Sequence, residues 1–189
     1  MSSQFECDDT SLVQKIIAQP HQTFSLKHLG EVHYFLGLEA LHSSSGILLT
    51  QTKYINDLLH KTNMFHSKPC ATPYYSSQKL SLHDSDAFDM PSIYRSTVGA
   101  LQYLTLTRSN ISWIVNKLSK FLQAPTLNHW VACKRVLRCL KGSVSTGLKF
   151  TPSSSTTLKG YADADWASCQ DDRCSTSGYY IFLGPNLLT

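Results

Sequence analysis

No stretch of this chain approaches the roughly 18 consecutive apolar residues of a membrane span, so no membrane partner is expected. The opening MSSQFECDDTSLVQK is polar and acidic where a secretory leader would be basic and then apolar. An intracellular protein, in cytoplasm or nucleus, is the expectation. The six cysteines, Cys7, Cys70, Cys133, Cys139, Cys169 and Cys174, include no CxxC pair, which removes the usual signal of a zinc knuckle or a redox dithiol. Free buried thiols are expected instead. A zinc site on Cys169, Cys174 and a histidine is an alternative, but its spacing is loose and no matching second pair follows.

What is present is enough for a real core: 189 residues, 42% hydrophobic, suit one ordinary domain or two small pieces. The net charge of +4 is unevenly spread. Residues 1–51 carry two Lys/Arg against five Asp/Glu, residues 52–150 thirteen against four, and residues 151–189 two against four. A basic middle between acidic flanks points to a polyanion partner for that middle, although solvated lysines alone give part of the imbalance.

Periodicity places the elements. Thr10 caps an expected helix with Leu12, Val13, Ile16 and Ile17 on one face, ending at Pro20. From Glu31 the period is two, with Val32, Tyr34, Leu36 and Leu38 alternating with His33, Phe35, Gly37 and Glu39; the turn-rich Ser43–Gly46 then leads into GILLTQ, a β-hairpin. A helix over Lys53–Lys61 sets Ile55, Leu58 and Leu59 together, and the polar run Cys70–Pro91 reads as a linker or long loop. Helices follow at Tyr94–Thr107, with Val98, Leu101 and Leu104 on a face, and at Ile111–Leu122, with Ile111, Ile114, Val115, Leu118 and Leu122 inward and Lys117 and Lys120 turned away.

The segment TLNHWVACKRVLRCLKG predicts a third helix, capped by Thr126 and closed by Gly142, with a stripe of Trp130, Cys133, Leu137 and Leu140. Lys134, Arg138 and Lys141 line its far side with Arg135 beside them, making it the best candidate for phosphate contact. The same cations also suit a plain solvated face, and both readings stay open. Beyond a Ser/Thr-rich tether, strands are expected through Leu158 and Ala162 and again from Gly178 to Leu183.

Five ordered motifs, HLGEVHYFLGLEA, GILLTQTKYINDLL, YRSTVGALQYLTLTRSNISW, HWVACKRVLRCLKG and GYADADWAS, resemble the Pol polyprotein of copia-type LTR retrotransposons, in which a reverse transcriptase precedes an RNase H. The resemblance runs from about Ser11 to Leu183 and implies an α+β fold. Residues 1–68 correspond to the palm remainder with its β-hairpin, 69–92 to a linker, 93–150 to a helical thumb and connection, and 151–189 to the incomplete start of RNase H. The family's Tyr-Val-Asp-Asp polymerase hairpin is not matched: Asp8 and Asp9 lack the preceding aromatic and read as acidic residues at a helix start. Tyr34-Phe35-Leu36-Gly37 resembles a region bearing on the primer strand; for Tyr34 and Leu36 a packed hairpin core is expected. Ser109-Asn110 stands where the family has Pro-Asp after Arg108, and Cys139 where an aromatic is usual.

By the same resemblance Asp163 matches the first RNase H aspartate, a metal ligand in the complete domain, where carboxylates hold two Mg²⁺ ions. Asp165 reads as a turn residue, and Asp171 and Asp172 as solvated. One such aspartate does not make a two-metal site, so no cofactor is expected for this chain, Mg²⁺ being implied only for the complete family protein. The expected function is that of a truncated reverse transcriptase/RNase H fragment, inactive alone. The alternatives are a sequence-independent module binding RNA/DNA hybrid or duplex backbones through Lys117, Lys120, Lys134, Arg135, Arg138 and Lys141, or a slice of a longer RNA-directed DNA polymerase.

Overall fold

The computed structural model describes residues 32–75, 80–167 and 169–189. The helix expected from Thr10, and Asp8 and Asp9 before it, lie outside them. Four antiparallel strands form a first sheet in the order β1 (Tyr34–Phe35), β2 (Leu38–Ser43), β3 (Gly46–Thr50) and β4 (Leu148–Phe150). The turn expected at Ser43–Gly46 joins β2 to β3, with Ser43 opposite Gly46.

A second tight turn precedes it. Leu36 and Gly37 both have positive φ, 49° and 82°, which sets Phe35 against Leu38 and Tyr34 against Glu39. Two central residues of positive φ suit a two-residue hairpin, because that backbone twist matches the twist of the strands. The expected core placement of Tyr34 and Leu36 is therefore corrected. The chain reverses where the alternation reads as continuous, and on this two-residue edge strand Tyr34 is 58% and Leu36 72% exposed.

Strand β4 carries no period of its own and joins β3 from about a hundred residues away, pairing Leu49 with Leu148 and Ile47 with Phe150. Two glycines permit the approach. A Cβ on Gly147 would run into the Leu49 carbonyl oxygen, and one on Gly46 into that of Phe150.

Four helices pack beside this sheet: α1 (Thr52–Lys61), α2 (Pro91–Leu104), α3 (Ser112–Ser119) and α4 (Leu127–Lys141). Helix α1 buries Ile55, Leu58 and Leu59, the face its spacing predicted. Helix α2 starts earlier than expected because Pro91, fixed near helical φ and lacking an N–H, sits in its first turn. The helix expected over 111–122 is split, a 3₁₀ turn at Ser109–Ile111 leading into α3, yet Ile111, Ile114, Val115 and Leu118 are buried as the pattern required. Leu80 and Phe88, from the polar run before α2, are buried in the same core. No helix among the described residues is long and apolar enough to cross a membrane.

A second antiparallel sheet holds β5 (Leu158–Ala164), β6 (Ser177–Leu183) and β7 (Asn186–Leu187). The first two are the strands expected from the sequence. Asn186 fastens this sheet to the chain leaving β4: its Oδ1 accepts from the Thr151 N–H at 2.7 Å and its Nδ2 donates to the Thr151 carbonyl at 3.0 Å. The architecture is mixed α and β, in agreement with the expected α+β class.

Candidate functional site

Helix α4 begins at a capping box. The Thr126 hydroxyl accepts from the His129 N–H, and His129 Nδ1 accepts from the Thr126 N–H at 3.0 Å. Imidazole takes the place of the usual Glu or Gln, and its Nε2 faces the Ser81 carbonyl at 3.0 Å, which assigns the proton to Nε2. With the helix start so anchored, its cations fall on a face crossed by residues 65–75.

Three of the four α4 cations grip that crossing segment. Arg135, only 9% exposed, donates from Nη2 to Thr72 Oγ1 at 2.7 Å, and its guanidinium carbon lies 3.2 Å from the ring centroid of Tyr75. Its Nε is buried with no hydrogen-bond partner among the described residues. Arg138 donates from Nε to the Lys68 carbonyl at 2.6 Å, and Lys141 from Nζ to the Ser67 carbonyl at 2.7 Å. Lys134 lies over Trp130, its Nζ 5.9 Å from the ring centroid.

On α3, Lys117 sits over Tyr74 and Trp113, at 5.7 Å and 5.1 Å, while Lys120, just beyond the helix, is exposed. The adjacent tyrosines Tyr74 and Tyr75 thus carry one cation each and connect the basic parts of α3 and α4. Among the described residues none of these six cations forms a salt bridge to a carboxylate; the neutral His129 imidazole lies 3.8 Å from Asp84, a contact that becomes an ion pair only on protonation. The positive charge read from the sequence is therefore not taken up in ion pairs at these positions, with Lys120 alone among them lying near a described carboxylate, that of Asp172. A cavity of about 410 Å³ opens between residues 64–75 and α4, lined by Met64, Tyr75, Val131, Lys134, Arg135 and Arg138.

The carboxylates of the second sheet are arranged for hydrogen bonding. Asp163 lies on β5 opposite Gly178, exposed, with Oδ1 accepting from the Ala164 N–H at 2.9 Å. Asp165 Oδ1 accepts from the Thr176 N–H at 2.6 Å and so closes the β5–β6 connection. Both face a cavity of about 670 Å³ shared with Trp113, Tyr161 and Tyr179. Asp171 and Asp172 are exposed, as expected of solvated turn residues, and each also accepts backbone N–H groups. Both Asp171 oxygens face Leu82 N at 3.1 Å, and Asp172 Oδ1 takes Cys174 N–H at 2.9 Å. Hydrogen bonds from the Cys169 side chain and the Cys174 backbone, with Lys120 nearby, bring the Asp172 carboxyl down to about 2.

No three His, Cys, Asp or Glu side chains among the described residues converge as a metal site would require. Asp163 has its neighbour Asp165 turned to a backbone amide, so the described residues do not fit a pair of Mg²⁺ ions. The zinc alternative on Cys169 and Cys174 has no such convergence either.

Two features are not singled out by the sequence. Tyr74 and Tyr75 stand within a polar run and become platforms only where that run crosses α3 and α4; their adjacency is the available signal. Arg108 draws notice in the sequence for the residues after it, and the structure makes it a joint. At 2% exposure it donates to Asn110 Oδ1 at 3.2 Å, to the Ser143 carbonyl at 2.8 Å and to Ser143 Oγ at 2.6 Å, tying the start of α3 to the end of α4.

A family model described as reverse transcriptase (RNA-dependent DNA polymerase) matches residues 5–76. The retrovirus-related Pol polyprotein from transposon RE2 of Arabidopsis thaliana is 44% identical over 177 residues, covering 94% of this chain and 12% of the relative. An uncharacterized mitochondrial protein of the same plant is 42% identical over 179 residues, covering 95% of this chain and 74% of the relative. The Pol polyprotein from transposon TNT 1-94 of Nicotiana tabacum is 36% identical over 186 residues, 93% of this chain and 14% of the relative. The chain thus spans about an eighth of the length of the Pol polyproteins it matches. No solved structure matches it.

Proposed function

Since this chain belongs to the copia-type retrotransposon Pol family, as a reverse transcriptase-like fragment, we propose that it holds the backbone of a hybrid or duplex nucleic acid without itself performing chemistry. In this reading residues 1–68 correspond to the remainder of a palm, 93–150 to a thumb and connection, and 151–189 to the first strands of an RNase H domain with Asp163 as its first aspartate. The observation that carries it is the basic face: Lys117, Lys120, Lys134, Arg138 and Lys141 lie on or beside α3 and α4 with no described carboxylate within ion-pair reach. Such a face reads phosphates and not base edges, so little sequence preference is expected. No hydrolytic or polymerising step is proposed, because the described carboxylates do not converge. The 12% span of the RE2 polyprotein favours a second reading, in which the same residues serve within a longer RNA-directed DNA polymerase.

The test is a salt titration of binding to a labelled RNA/DNA hybrid. Affinity should fall steeply with salt, and alanine at Lys134, Arg138 and Lys141 should flatten the log–log slope by about 2 to 3, close to one unit for each phosphate no longer neutralised. Thermal melts must accompany it, since Arg138 and Lys141 also hold residues 67–68. A slope unchanged in the folded triple variant removes α4 from the interface.

A further inference from the structure

Building on that reading, we infer that the cavity between residues 64–75 and α4 accepts one unpaired nucleotide, its base against Tyr75 and its phosphate between Lys134 and Arg138, so that the chain prefers a single strand to a blunt duplex. The cavity, about 410 Å³, lies in the size range of small-ligand sites. Its lining has two chemistries. Met64, Tyr75 and Val131 supply an apolar and aromatic wall, with Tyr75 55% and Val131 52% exposed and so open to a ligand. Lys134, Arg135 and Arg138 supply cations, and no carboxylate stands among the described lining residues.

A mononucleotide unit has the same two halves, a flat base and an anionic phosphate. The Arg135 guanidinium, pinned by Thr72, covers one face of the Tyr75 ring at 3.2 Å and holds it in place, which leaves the ring's other face for the base. Little conformational freedom is left to lose on stacking. Arg138 gives its Nε to the Lys68 carbonyl, which fixes the side chain while its terminal nitrogens have no acceptor among the described residues. The Lys134 ammonium is likewise free of any described carboxylate. A blunt duplex offers phosphates to these cations but keeps its bases stacked inside, away from the ring. Backbone binding by Lys117 and Lys120 does not discriminate in this way; stacking does.

The experiment compares, by fluorescence anisotropy on the whole chain at one low salt concentration, a short labelled single strand with the blunt duplex of the same sequence. The single strand is expected to bind about tenfold tighter, the weight of one stacked base. Tyr75→Leu should bring the ratio to about one, and Tyr75→Phe should keep it. Val131→Glu, at an exposed rim position with little bearing on folding, should weaken single-strand binding by about tenfold by placing a carboxylate beside the phosphate site. A wild-type ratio near one, a ratio indifferent to Tyr75→Leu, or single-strand affinity indifferent to Val131→Glu overturns the inference while leaving backbone binding in place. Failure to bind either nucleic acid overturns the backbone reading as well.

Discussion

Arg108 carries its positive charge at 2% exposure, with only neutral oxygens as hydrogen-bond acceptors among the described residues. Burial draws its pKa below the ordinary guanidinium value, with the Cys139 thiol opposing. The family's usual Asp at position 110 would face the same Nε that Asn110 accepts from at 3.2 Å. A charge-assisted bond is about twice as strong as a neutral one, and Asn110 is exposed, so a carboxylate there loses little hydration. Asn110→Asp is therefore expected to stabilise the fold by about 1 kcal/mol, read as a higher urea midpoint. A lower midpoint would mean that desolvation of the new carboxylate outweighs the pairing.

His129 gives a pH dependence of determined sign. It is fully buried, stacked on Phe121 at 3.8 Å, and accepts the Thr126 N–H on Nδ1. Burial lowers its pKa below the ordinary histidine value, while Asp84, the Ser81 carbonyl and Asp171 pull the other way. Protonation would also remove the acceptor that caps α4. The unfolded chain, with a histidine pKa of about 6.5, binds the proton first, so stability holds above that pH and declines as pH falls through the folded value. Urea midpoints across mildly acidic pH should show this decline. His129→Leu should lower the plateau and remove this contribution.

At the scale of elements, the β3–β4 pairing rests on the missing side chain of Gly147. A methyl there meets backbone, which cannot swing away as a flexible side chain would. Gly147→Ala is expected to cost about 2 kcal/mol, in the range of overpacking substitutions. Thermal unfolding reads the cost, and faster amide exchange at Ile47–Leu49 locates it; unchanged exchange would show that β4 moves aside freely. The helices are legible in the sequence because each buries a face of period near 3.6, as Ile55, Leu58 and Leu59 show on α1. Strand β4 is not, because three residues hold no period and their partner is distant in sequence. The Leu36–Gly37 turn escapes a sequence reading because its alternation continues across the reversal, and Leu is an unusual residue at positive φ.

Across the whole molecule, six of the thirteen Lys/Arg of the basic middle lie on or beside α3 and α4, but composition could not say how each cation is used. Arg135, set beside the Lys134–Arg138–Lys141 line by the helical spacing, is buried under Tyr75 while Lys134 stays at the cavity rim. The polar run before α2 behaves in the same way: its few apolar residues, Leu80 and Phe88, complete the helical core.

Charge balance, family, helix faces, the Thr126 cap and the β5–β6 strands were determined by the chain order alone, because each depends on residue type and order and not on which distant segments meet. Tertiary structure alone decided the closure of β3 by β4, the burial of Arg108 and Arg135 and the Tyr74–Tyr75 platforms. These depend on which distant segments meet, and that is set by packing of the shared core, where no local period reports the partner.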